Sequence, residues 1–135
     1  MKRTFLLLAS LLIIIASLVS CAPTADRSVW DTATYTADTT VGEGAKTVTV
    51  SVEAEDKTVI LTVNTDADNL GEALYSLELI NDPTFFDTII GMQLVWEETQ
   101  AYWCLYVGDS TAPVAYGVGD ATINGGESFR IVYTK

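Results

Sequence analysis

Histidine is absent from this chain of 135 residues, and cysteine occurs twice. Without histidine, the Ser–His and Cys–His pairs that activate a nucleophile are excluded. A structural zinc site, which needs several Cys or His ligands, is excluded with them. Basic residues are scarce: seven Lys and Arg face eighteen Asp and Glu, a formal charge of −11. Nucleic-acid binding requires Lys and Arg to neutralise phosphates, so no nucleic-acid partner is expected. Long apolar runs are also missing, apart from Phe5–Ile15, broken only by Ser10. That run falls short of the ~20 residues a spanning helix needs.

The run has another reading. Lys2 and Arg3 precede it, and Leu18-Val19-Ser20-Cys21 follows. A charged start, an apolar stretch and a small residue before Cys look like a bacterial lipoprotein signal. Residues 1–20 are then a signal peptide and Cys21 is the lipidation site. Acyl chains on Cys21 would tether the protein to the bacterial cell membrane, on its extracytoplasmic face. Setting Lys2 and Arg3 aside, the net charge becomes −13. Such a surface repels anionic lipid, so the anchor has to hold it there. Cys104 is the remaining thiol, with no partner for an intramolecular disulfide.

Residues 21–46, rich in Thr, Ala and Asp, read as a lipid-anchored linker. Trp30 and Tyr35 stand out within it, and docking of these rings onto apolar surface is expected. The folded domain is expected over 47–135, long enough for one core. Val48, Val50 and Val52 alternate with Thr and Ser, as do Val59, Leu61 and Val63 with polar residues. Two such runs joined by the polar Glu55-Asp56 turn predict an antiparallel hairpin. Leu70, Ala73, Leu74, Leu77 and Ile80 then fall at helical spacing. Asn69, three residues before Glu72, predicts the helix cap, and Asn81-Asp82-Pro83 predicts its end after about three turns. Asp66 and Asp68 fit helix capping better than a calcium loop, because the glycine and closing glutamate positions of such a loop do not match.

Past Pro83 the pattern returns to strands: Phe85–Ile90, Met92–Trp96, Ala101–Val107, a short extended piece at Val114–Gly117, and Glu127–Tyr133. Glu97–Gln100 reads as a polar turn. The expected fold is α+β, a single helix packed on a mixed, mostly antiparallel sheet in a β-grasp-like order. With no acid–base machinery in sight, the chain reads as a non-enzyme.

The order of elements over 47–135 resembles the C-terminal β domain of the transcobalamin and intrinsic-factor family and its bacterial surface-lipoprotein relatives. The likeness is sharpest at Tyr102-Trp103, the loop carrying Asp109, Thr111, Pro113, Gly117 and Asp120, and the turn Gly126-Glu127. It also touches the helix start Leu70-Gly71-Glu72-Ala73-Leu74. The resemblance implies a ligand-binding module for cobalamin or another corrinoid. It also implies ligand contacts from Trp103, Cys104 and Leu105 on the strand and Ala115, Tyr116 and Gly117 on the loop. No other cofactor is implied and no metal site is assigned. A corrin is a broad apolar disc edged with amides, and Trp offers apolar area with one N–H donor. Vitamin carriers of this family enclose the ligand between this domain and an all-helical barrel. This sequence carries neither that barrel nor a His to meet cobalt, so it supplies half of such a site. A surface transporter or second binding protein is the partner implied. The alternative reading is a structural or protein-interaction module of the envelope with no small ligand.

Overall fold

The computed structural model describes residues 27–135. The signal segment and Cys21 lie outside the described residues. The fold is α+β. A five-stranded sheet runs in the order β1-β3-β2-β7-β6, built from β1 (Thr39–Val41), β2 (Lys46–Ala54), β3 (Lys57–Thr65), β6 (Tyr102–Val107) and β7 (Ser128–Thr134). A separate two-stranded ribbon pairs β4 (Thr88–Ile89) with β5 (Met92–Gln93). The helices are α1 (Leu70–Ser76) and a single turn, α2 (Trp96–Thr99).

The alternating valines form the expected hairpin. Val48, Val50 and Val52 of β2 stand opposite Val63, Leu61 and Val59 of β3, and all six are fully buried. Because side chains alternate across a strand, Thr47, Thr49 and Ser51 point to the opposite face with Thr62 and Asn64, which no other described element covers. The last strand, β7, lies parallel to β2 and pairs antiparallel with β6. Phe129 and Ile131 thereby join the valines in one core, with Leu70, Ala73 and Leu74 of α1 above them.

Asn69 caps α1 as predicted, its side chain accepting from Glu72 N–H at 2.8 Å. The helix is shorter than the apolar spacing suggested. Glu78 adopts a left-handed conformation (φ 58°). Leu79 N–H donates to Leu74 O at 2.9 Å, and Glu78 N–H to Tyr75 O at 3.0 Å. This paired closure is a Schellman motif, so the chain leaves the helix before reaching Pro83. Ile80 is buried, but as part of a bridge to Ile89 rather than on a third helical turn.

The expected linker needs correction over its described part. Residues 28–41 belong to the folded body. Val29–Thr32 form a 3-10 turn that buries Trp30, whose indole Nε1 donates to Ala54 O at 3.0 Å. Glu55 accepts from Ser28 Oγ and Val29 N–H, closing the turn against the hairpin end. Tyr35 is partly buried against the same core. Asp38 accepts from Ile60 N–H at 2.9 Å, and β1 adds a parallel edge beside β3. A large ring amid Thr and Asp has nowhere favourable to go but the nearest apolar surface, and the flanking chain follows it.

Three further expectations change. Phe85–Ile90 and Met92–Trp96 shrink to two-residue strands around the Ile90-Gly91 turn, where both residues have positive φ. Glu97–Gln100 is mostly helical, as α2. Val114–Gly117 forms no strand; one bond, Val114 N–H to Leu105 O at 2.9 Å, holds it to β6.

Candidate ligand groove beside Trp103

β6 is an outer strand of the sheet, and its residues alternate. Trp103 and Leu105 point to the core side, where Leu105 is buried and Trp103 is partly buried. Tyr102, Cys104 and Tyr106 stand on the other face, where Arg130 lies over the Tyr106 ring at 4.9 Å and pairs with Glu53 at 3.1 Å. After Val107 the chain turns at Gly108, runs back past Leu105, and enters the 3-10 turn Val118–Asp120.

The second wall comes from the segment between α1 and β4. Asp82 organises it: one carboxylate oxygen accepts from Thr84 N–H at 2.8 Å and Phe85 N–H at 3.0 Å. These two bonds hold the Asp82 carboxyl below its ordinary pKa. Asn81 Oδ1 accepts from Asp87 N–H and Thr88 N–H in the same way. The segment threads between two glycine positions. A Cβ on Gly71 would sit 1.9 Å from Pro83 O, and one on Gly117 would sit 2.5 Å from Thr84 O. Only a residue without a side chain allows these backbones to approach so closely.

Between the walls lies a groove of about 310 Å³. All six residues singled out from the sequence line it: Trp103, Cys104, Leu105, Ala115, Tyr116 and Gly117. They do so in different ways. Cys104 meets it through its main chain, since its thiol stands on the opposite face with Tyr102 and Tyr106. Gly117 lets the wall close. Tyr116 is 44% exposed, and Phe85, which the sequence placed in a strand, is 74% exposed at the opposite rim. Phe85 and Phe86 carry no local signal of this place, since their spacing reads as a strand.

One polar atom in this wall is unusual. Trp103 Nε1 is buried and finds no hydrogen-bond partner among the described residues. Its ring meets Tyr133 edge-on, with centroids 6.2 Å apart. Buried indole N–H groups normally find an acceptor. Trp30 makes the contrast within the same molecule, since its N–H is satisfied by Ala54 O. Among the described residues no group of three or more acidic or thiol side chains converges as a metal site.

No protein-family model and no curated protein matches this chain. Among solved structures, a candidate metal binding protein from Ruminococcus gnavus superposes with a TM-score of 0.59 at 23% identity, over 67% of this chain and 98% of that one. Haptocorrin in complex with Cbi superposes with a TM-score of 0.48 at 17% identity, over 67% of this chain and 25% of that one. The chain thus shares its fold with the Ruminococcus gnavus protein, over nearly all of that protein's length.

Proposed function

We propose that this protein is a surface lipoprotein whose transcobalamin-like, β-grasp-like domain binds a flat, largely apolar ligand of the corrinoid class across the Trp103 groove. The observation that carries the reading is one groove lined by all six residues the resemblance implied, among them Trp103, whose N–H has no partner among the described residues. A groove of about 310 Å³ is at the small end of ligand sites, which run from ~300 to 1,000 Å³. A macrocycle would therefore lie across it rather than inside it. Phe85 and Tyr116 would flank the ring, and an amide oxygen on its edge would accept from Trp103 Nε1 once the groove opens to it, since the fold buries that atom. The Cys104 thiol, on the far face of β6, has no part in this site. Binding, rather than catalysis, is the activity proposed. Lipidation at Cys21 would hold the domain at the membrane, where the ligand is passed to a transporter or second binding protein.

The test is a titration of the purified chain with cobinamide and cobalamin, following tryptophan fluorescence and the corrin spectrum. A saturable change is expected, weakened in Trp103→Phe, which keeps the ring and removes the donor. A ligand contact through that N–H is worth about 1 kcal/mol, or roughly fivefold in Kd. Absence of any saturable change up to high micromolar ligand would rule out the corrinoid class. Wild-type affinity in Trp103→Phe would rule out only the donor assignment.

The reading of an envelope interaction module draws support from a different place. The sheet face carrying Ile60, Val132, Cys104 and Tyr106 is uncovered in the described residues, and Ile60 is 38% exposed.

A further inference from the structure

A second cavity, of about 290 Å³, lies beside the first, and the two share Phe86 and Trp103. It is walled by Trp96 on α2, Tyr102 at the start of β6, Phe86 and Trp103. Trp96 and Tyr102 are 56% and 47% exposed, so both rings present surface that the fold leaves free. Their centroids are 6.1 Å apart and their planes meet at 55°. They are tilted rather than stacked, and together they form the aromatic corner of the cavity lining. The lining also includes two acidic residues, Asp87 and Glu97, besides Leu94, Val95 and Ala101, and no lysine or arginine contributes to it. Asp87 is fixed by Asn81 Nδ2 at 2.8 Å and Thr88 Oγ1 at 2.7 Å.

An exposed aromatic ring offers an electron-rich face, and such faces attract cations through the ring quadrupole. A quaternary ammonium suits the corner better than a metal ion or a free lysine. Its methyl groups fill apolar space, its hydration is weak, and it makes no hydrogen bonds that the rings would leave unmet. The carboxylates supply charge from the rim, and the net charge of −11 raises the local concentration of any cation. We propose that the Phe86–Trp96–Tyr102 corner is a binding site for a small quaternary ammonium group. The site adjoins the proposed corrinoid groove, but the proposal rests on Trp96 and Tyr102, which do not line that groove.

The test uses the whole chain in a non-ionic detergent. It is titrated with choline and with tetramethylammonium chloride at matched ionic strength, reading tryptophan fluorescence and heat. The control ligand is 3,3-dimethylbutan-1-ol, the uncharged isostere of choline. The expected result is saturable binding of both cations, with the isostere weaker by about tenfold, the worth of a partly desolvated cation–π contact. Trp96→Ala should weaken choline by a similar factor, while Trp96→Tyr should retain most of the affinity. Since Trp96 is largely exposed, both variants should melt within a few degrees of the parent. Corrinoid titration of Trp96→Ala should be unchanged, which separates failure of this site from failure of the Trp103 groove. Equal or tighter binding of the neutral isostere would overturn the proposal. So would undiminished choline affinity in Trp96→Ala, or no saturable binding of either cation.

Discussion

Removing the Trp30 ring should destabilise the whole domain. Trp30 is 8% exposed, and its Nε1 donates to Ala54 O at 3.0 Å. Lys57 Nζ lies 5.0 Å from its ring centroid. Truncating a buried Trp to Ala costs about 3–5 kcal/mol, a figure that already contains most of the lost contacts. The orphaned Ala54 carbonyl adds about 1 kcal/mol if it stays dry. A domain of this size has only ~5–15 kcal/mol of stability in total. For Trp30→Ala, about 4 kcal/mol then corresponds to a drop in Tm on the order of 15–30 °C. Trp30→Phe isolates the hydrogen bond, since it keeps most of the apolar area, and should cost about 1–2 kcal/mol. The assay is urea unfolding followed by far-UV circular dichroism, comparing midpoints at constant slope. A change within about 0.5 kcal/mol for Trp30→Ala, the range of ordinary surface substitutions, would refute the reasoning. It would mean that residues 28–41 are a tether after all.

Other consequences are as direct. Gly117→Ala places a Cβ 2.5 Å from Thr84 O, so the Asp82–Phe86 wall must move; a loss of about 1–3 kcal/mol and weaker ligand binding are expected by melting and titration. The bonds from Thr84 and Phe85 N–H lower the Asp82 pKa below 3.8 in the fold. Their stabilisation is therefore complete above the unfolded value and is lost as pH falls through the lower folded one. Amide exchange at Thr84 and Phe85 should accelerate as pH drops below about 4, relative to intrinsic rates, and Asp82→Asn should flatten that dependence. Unchanged protection in acid would count against Asp82 as the organiser of the wall. Cys21→Ala should abolish incorporation of labelled palmitate and release the protein from the membrane fraction; membrane retention in that variant would contradict the lipid anchor.

Elements whose periodicity is local were legible in the sequence. Val48, Val50 and Val52 announce a half-buried strand because each step of two returns to the core. Asn69 and Glu72 announce a helix start because the cap is a contact between near neighbours. What escaped depends on partners far along the chain. Thr39–Val41 is too short to show a period, and its strand character comes from parallel pairing with Leu61–Val63. The end of α1 was misplaced because Leu77 and Ile80 keep helical spacing while Glu78 turns left-handed. The groove was half legible. Trp103, Leu105 and the Ala115–Gly117 loop could be named from a resemblance. Phe85 and Phe86 could not, since their place facing β6 rests on contacts across the fold at Gly71 and Gly117.

The central claim is that a ligand takes the Trp103 N–H, which has no partner among the described residues. The most direct measurement is the indole N–H resonances of ¹⁵N-labelled protein during titration with cobinamide. The account predicts that the Trp103 resonance shifts saturably with ligand, while that of Trp30, already bonded to Ala54 O, stays in place. A Trp103 resonance that remains fixed while the corrin spectrum reports saturation would contradict it.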